Sequence, residues 1–188
     1  MVVYLPSFGG DNTFMKSTLI INSGEYPENA SICQKICEEL VSKGHCCECI
    51  DMNNPDLQLH EKFYAIENAK PDLIITFDFA GFECRNGMGD VSFNRIPCRM
   101  AHLILHESEN RVIQPDEIFN YSMYFFAATE SYGKQIAENE SVAHYQVLPE
   151  LMDLKPESKN DSASIAMILQ RIWDITEMSL DFTECRLL

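Results

Sequence analysis

The chain has 188 residues, 46% of them hydrophobic and 23% charged, the balance of a globular protein with room for one domain and its own core. Asp and Glu outnumber Lys and Arg by 29 to 14, and the formal charge is -15 with no cluster of Lys and Arg to offset it. Such a surface repels phosphate backbones and anionic headgroups, so neither nucleic acid nor a charged membrane is expected as a partner, and the charge reads as solubility.

Residues 1–14 precede the first regular pattern. Val2 to Leu5 has strand chemistry and Gly9-Gly10 that of a turn, so the segment reads as an extension, an edge strand or a docked arm. It lacks a basic segment followed by an apolar run, and no stretch of the chain has the continuous apolar length of a bilayer span. Without an export signal, the eight cysteines are expected to be reduced thiols in the cytoplasm.

From residue 15 onward the pattern is that of one Rossmann-like α/β domain. Thr18 to Asn22 is a short apolar strand, followed by a turn through Ser23, Gly24 and Pro27. Ile32, Cys33, Ile36, Cys37 and Leu40 recur at helical spacing, and Gly44 stands where a helix ends. Cys46 to Met52 reads as a strand and Leu57 to Ala69 as a helix stopped before Pro71. Asp72 to Asp78 is the clearest buried strand, Cys98 to His106 another, and Ser122 to Ala128 an aromatic-rich third. Ser131 to Glu140 is predicted helical, Tyr145 to Leu148 a last short strand, and Lys155 to Asp161 a polar linker. The closing helix carries Ile165, Ile168, Leu169, Ile172, Trp173 and Ile175 on one broad face. Strands alternating with helices imply right-handed βαβ units, a mostly parallel sheet and three layers.

Open parallel sheets receive ligands beyond the carboxyl ends of their strands. That rule selects the loop holding Ser23 and Gly24, where backbone amides before a helix suit an anion, and the loop Asp78 to Asp90 with Gly81 and Glu83. It also selects His106 beside Glu107, while His102 is expected as a hydrogen-bonded histidine inside the fold. The phosphate-binding patterns G-x-G-x-x-G and G-x-x-x-x-G-K-[ST] are absent, as are G-x-S-x-G and H-E-x-x-H, so no cofactor is expected and no self-contained catalytic motif is present. Cys33 and Cys37 share a helix face and Cys46, Cys47 and Cys49 follow in a strand, but neither C-x-x-C pair of a zinc ribbon occurs. The thiols therefore read as small buried hydrophobes, with no metal.

The run Lys70 to Gly81, with its Lys-Pro-Asp entry into a buried strand, and the segment Asn94 to Met100, with Ile96-Pro97, carry a family pattern. They resemble the N-terminal half of GT-B-type glycosyltransferase-like proteins, in particular the spore-maturation CgeB type, over roughly residues 16 to 180. Ser131 onward and Val147-Leu148-Pro149-Glu150 resemble the passage before the two halves of such proteins meet. In that architecture the C-terminal half holds most of the donor nucleotide, so the resemblance implies an acceptor-side half without transferase activity of its own. The expected role is binding of a small molecule or a partner protein, a homodimer included, near Ser23, Gly24, Asp78, Gly81, Glu83 and His106. The competing readings are a small glycosyl- or nucleotide-processing enzyme using the 78–90 loop, and a non-catalytic assembly or regulatory protein.

Overall fold

The computed structural model describes residues 17–22, 26–52, 54–56, 58–82, 96, 98–107, 123–139, 142–155 and 162–184. The N-terminal extension 1–14 and most of the 155–161 linker lie outside them. Strands β1 (Ser17–Asn22), β2 (Cys46–Asp51), β3 (Leu73–Phe77), β4 (Arg99–Ile104), β5 (Met123–Ala127) and β6 (His144–Val147) form one sheet in the order β2-β1-β3-β4-β5-β6. Every pairing is parallel, with Ile20 opposite Ile75, Ile75 opposite Ala101, and Ala101 opposite Tyr124. This is the doubly wound Rossmann-like α/β arrangement, with its topological switch between β1 and β3.

Helices α1 (Pro27–Ser42), α2 (Leu59–Ala69), α3 (Glu130–Ala137) and α4 (Ser162–Glu184) cover the two faces. Alternation along the strands decides which side chains meet which helices. Ile75, Phe77, Leu103, Tyr124 and Phe126 pack with α1 and α4. Ile74, Met100, Ile104, Phe125 and Ala127 point the other way, toward Ile66 of α2 and Ile136 of α3. Because both faces are covered, β3 and β5 are buried at every residue, which is why their sequences read as unbroken apolar runs. Among the described residues, no helix is long and apolar enough to cross a membrane.

The helix ends follow local chemistry. Pro27 opens α1 at a position that needs no N–H. The same helix closes with Gly44 at φ 83, its amide on the Val41 carbonyl and that of His45 on the Leu40 carbonyl, the paired bonds of a Schellman motif. In α2, Gln58 and Glu61 form a reciprocal capping box, and the helix ends in a left-handed Lys70 just before Pro71. Thr129 caps α3 by accepting the Tyr132 amide at 3.3 Å, so Thr129→Ala should lower stability by about 1 kcal/mol, measurable as a shift in the urea midpoint.

One element was not foreseen. Pro149–Leu154 forms a 3-10 helix that buries Leu151 and Leu154 under α4. Two apolar residues three apart suit a single 3-10 turn, but they are too few to register as a periodic pattern.

Candidate functional site

The chain leaves β3 through an unusual turn. Asp78 and Phe79 have φ values of 47 and 65, and Gly81 of 88, so three residues of one turn lie in the left-handed region. Glycine adopts that conformation freely, whereas each non-glycine residue there costs on the order of 1–3 kcal/mol. The compensation is visible in the contacts. The Asp78 amide donates to the Leu103 carbonyl at 2.9 Å, that of Ala80 to Phe77, and that of Phe82 to Phe79. Phe79 and Phe82 are buried edge to face, with centroids 5.6 Å apart.

The turn aims the Asp78 carboxylate across the switch point. Its Oδ1 accepts from the backbone amides of Leu105 at 2.8 Å and His106 at 3.0 Å. Its Oδ2 accepts from Asn29 Nδ2 at 2.9 Å and lies 2.9 Å from His106 Nδ1. The other three partners of Asp78 are all donors, and the His106 tautomer with its proton on Nδ1 completes the set. One buried carboxylate thus ties the end of β3 to the exit of β4 and to the first turn of α1.

His106 carries the network outward. Its Nε2 lies 3.0 Å from Glu28 Oε1, and the Glu28 side chain is 37% exposed against 5% for Asp78. The Nε2–Glu28 contact is the end of the chain nearer solvent. Tyr26 covers a face of the imidazole, its ring parallel to within 9° at a centroid distance of 3.9 Å. The ring is therefore held on both nitrogens and on one face. Behind it, Asn29 is fully buried and its Oδ1 has no hydrogen-bond partner, leaving an unmet acceptor at the base of the site.

Of the residues singled out from sequence, Asp78 and His106 come into direct contact and Gly81 supplies the third left-handed position of the turn. Ser23, Gly24 and Glu83 lie outside the described residues, as does the 83–90 part of the loop. Tyr26, Glu28 and Asn29 are members of the site that sequence reasoning missed. The signal was present in Pro27, which opens a helix and so places residues 26–29 in its first turn, directly beyond the end of β1.

His102 behaves as expected of an interior histidine. It is buried between Phe82 and Phe125, with Nδ1 2.5 Å from Thr76 Oγ1. The spacing His102–His106 does not place both on one face, because β4 ends at Ile104 and His106 turns toward α1.

The cysteines correct the expectation of uniformly buried thiols. Cys33 is buried and Cys37 half-buried on α1, whereas on β2, an edge strand, Cys47 is half-buried and Cys46 and Cys49 are exposed. Among the described residues, no three His, Cys, Asp or Glu side chains are arranged to hold a metal ion. A groove of about 340 Å³ between α1 and α4, lined by Leu40, His45, Met167 and Trp173 among others, lies apart from the Asp78–His106 network. Compared with protein-family models, curated proteins and solved structures, the chain matches none.

Proposed function

We propose that this is a Rossmann-like binding domain that receives a neutral, hydroxyl-bearing small molecule at the carboxyl edge of its sheet, over His106 and Glu28. The observation that carries the reading is the asymmetry of the two carboxylates on one imidazole. Asp78 spends its acceptor capacity on internal donors, whereas Glu28 reaches His106 from the exposed side. A ligand hydroxyl can replace either partner of the Nε2–Glu28 contact, because hydroxyls both donate and accept. The net charge of -15 disfavours phosphate-rich ligands. The resemblance to a GT-B acceptor-side half points to the same class, a sugar or sugar-like acceptor.

The test is a thermal-shift screen of the full chain against neutral sugars, nucleotides and nucleotide sugars. A true ligand at about 100 times its Kd stabilises by about 2.7 kcal/mol, a clear rise in Tm. His106→Ala and Glu28→Ala should each weaken binding by about tenfold or more, in line with a lost hydrogen bond to a charged group. A stabilising ligand whose affinity survives both substitutions would sink this placement, as would no stabilisation by any neutral sugar.

A second reading has its own support. An imidazole held at Nδ1 by a buried carboxylate, with Nε2 beside the more exposed Glu28, is placed as a general base is once a substrate displaces Glu28. If the domain is an enzyme, conversion of the bound molecule should be lost in His106→Ala, while His106→Asn should not restore it. Binding without turnover separates the two readings.

A further inference from the structure

Helix α1 returns along the edge strand β2 through the tight turn at Gly44, and this brings two pairs of cysteines face to face. Cys33 and Cys37 are one helical turn apart, and Cys47 and Cys49 project from the same side of β2. The Cys37 and Cys49 sulfurs are 3.1 Å apart, and Cys49 Sγ lies 3.8 Å from the Cys33 carbonyl oxygen. Cys37 and Cys47 both rest on the core beneath α1. Nothing in the packing requires four thiols here. Alanine, serine or valine would fill such a face without bringing two sulfurs into contact.

The geometry points to a thiol-modification site in which Cys37 and Cys49 are oxidised to an internal disulfide by exchange with a low-molecular-weight disulfide. The sulfurs need to approach by about 1 Å to reach bonding distance, and the exposed position of Cys49 on an edge strand gives an outside disulfide access. In the first step the Cys49 sulfur, as thiolate, attacks one sulfur of the external disulfide and expels the other half as a thiolate. In the second step Cys37, having lost its proton, attacks Cys49 Sγ in the mixed disulfide and releases the second half. Two protein thiols are oxidised to one disulfide, and one external disulfide is reduced to two thiols.

The surroundings set the pace. The neighbouring Cys47 thiol, and burial, push the Cys37 thiol up to about 12, and contact with Cys37 together with burial pushes Cys49 up as well. Exchange needs the thiolate, so at neutral pH the pair stays reduced until an external disulfide is abundant. The bond, once formed, links α1 to β2 across a loop of a dozen residues and restricts the unfolded chain.

The test uses the reduced chain, treated with glutathione disulfide and mapped by peptide mass spectrometry. Loss of two hydrogens is expected in a peptide pair joining residues 37 and 49, with Tm higher by about 5 °C. Cys37→Ser and Cys49→Ser should each abolish that species, and Cys46→Ser, at the exposed neighbouring position, should leave it unchanged. Cys37→Ala provides the same readout if serine at that half-buried position disturbs folding. Internal bonding that persists in Cys49→Ser, or oxidation that ends as a glutathione adduct with no internal bond, overturns the assignment.

Discussion

Asp78→Ala should destabilise the domain by about 3–5 kcal/mol, the range seen when one partner of a buried charged network is removed. The argument rests on what is left behind. Alanine leaves the amides of Leu105 and His106, the Asn29 side-chain amide and His106 Nδ1 without their acceptor, the Leu105 and Asn29 contacts being buried and the two to His106 part-buried. Each unmet buried donor costs on the order of 1–3 kcal/mol, and partial relaxation brings the sum down into the stated range. Alanine also tolerates the left-handed backbone at this position less well than aspartate does. Asp78→Asn should cost less. Its carbonyl oxygen still serves the two backbone amides, while its NH₂ opposes the Asn29 and His106 donors. Urea unfolding of the three proteins should therefore rank wild type above Asn above Ala. A loss below about 1 kcal/mol for Ala would show that the network is relaxed or open in solution.

Gly133→Ala is the second large effect, and its sign runs against helix propensity. In an exposed helix interior the change would stabilise by about 1 kcal/mol. Gly133 instead sits in α3 where the helix meets β5 and β6, and an added Cβ would lie 2.2 Å from Tyr145 Oη and 2.6 Å from Ala127 Cβ. The tyrosine ring can swing aside. The Ala127 Cβ is fixed to a fully buried central strand and cannot. The helix must lift, at a cost of about 1–3 kcal/mol or more for overpacking, and net destabilisation of about 2 kcal/mol is expected. Thermal unfolding should show it, and Gly133→Ala with an unchanged or raised Tm would mean that α3 does not pack this closely. The double variant Gly133→Ala/Tyr145→Phe removes the hydroxyl clash and leaves those with the ring Cε2 and with Ala127, each at 2.6 Å. It should recover only part of the loss.

The fold was legible because period and punctuation agreed along the chain. Leu73–Phe77 and Met123–Ala127 are buried on both sides, so their sequences are continuously apolar. Gly44 and Pro71 end helices by backbone restrictions that act within one or two residues. The 3-10 helix at Pro149–Leu154 escaped notice because six residues with two buried positions are too few to show a period. The candidate site was half legible. A strand-end rule selected Asp78 and His106 without any knowledge of their partners. Glu28 lies 78 residues from His106 and Asn29 lies 49 from Asp78, separations across which local pattern carries no information.

The same division holds for the cysteines. Sequence placed Cys33 and Cys37 on one helix face, because helical spacing is a local property. Their meeting with Cys47 and Cys49 depended on β2 lying at the sheet edge with α1 folded back beside it, which is a property of strand order. By itself, then, the sequence determined a parallel α/β sheet covered on both faces, since hydrophobic period and turn chemistry act over a few residues. Tertiary structure decided which loops converge at the β1–β3 switch. It is there that a buried carboxylate, a histidine and a more exposed glutamate become one hydrogen-bonded chain.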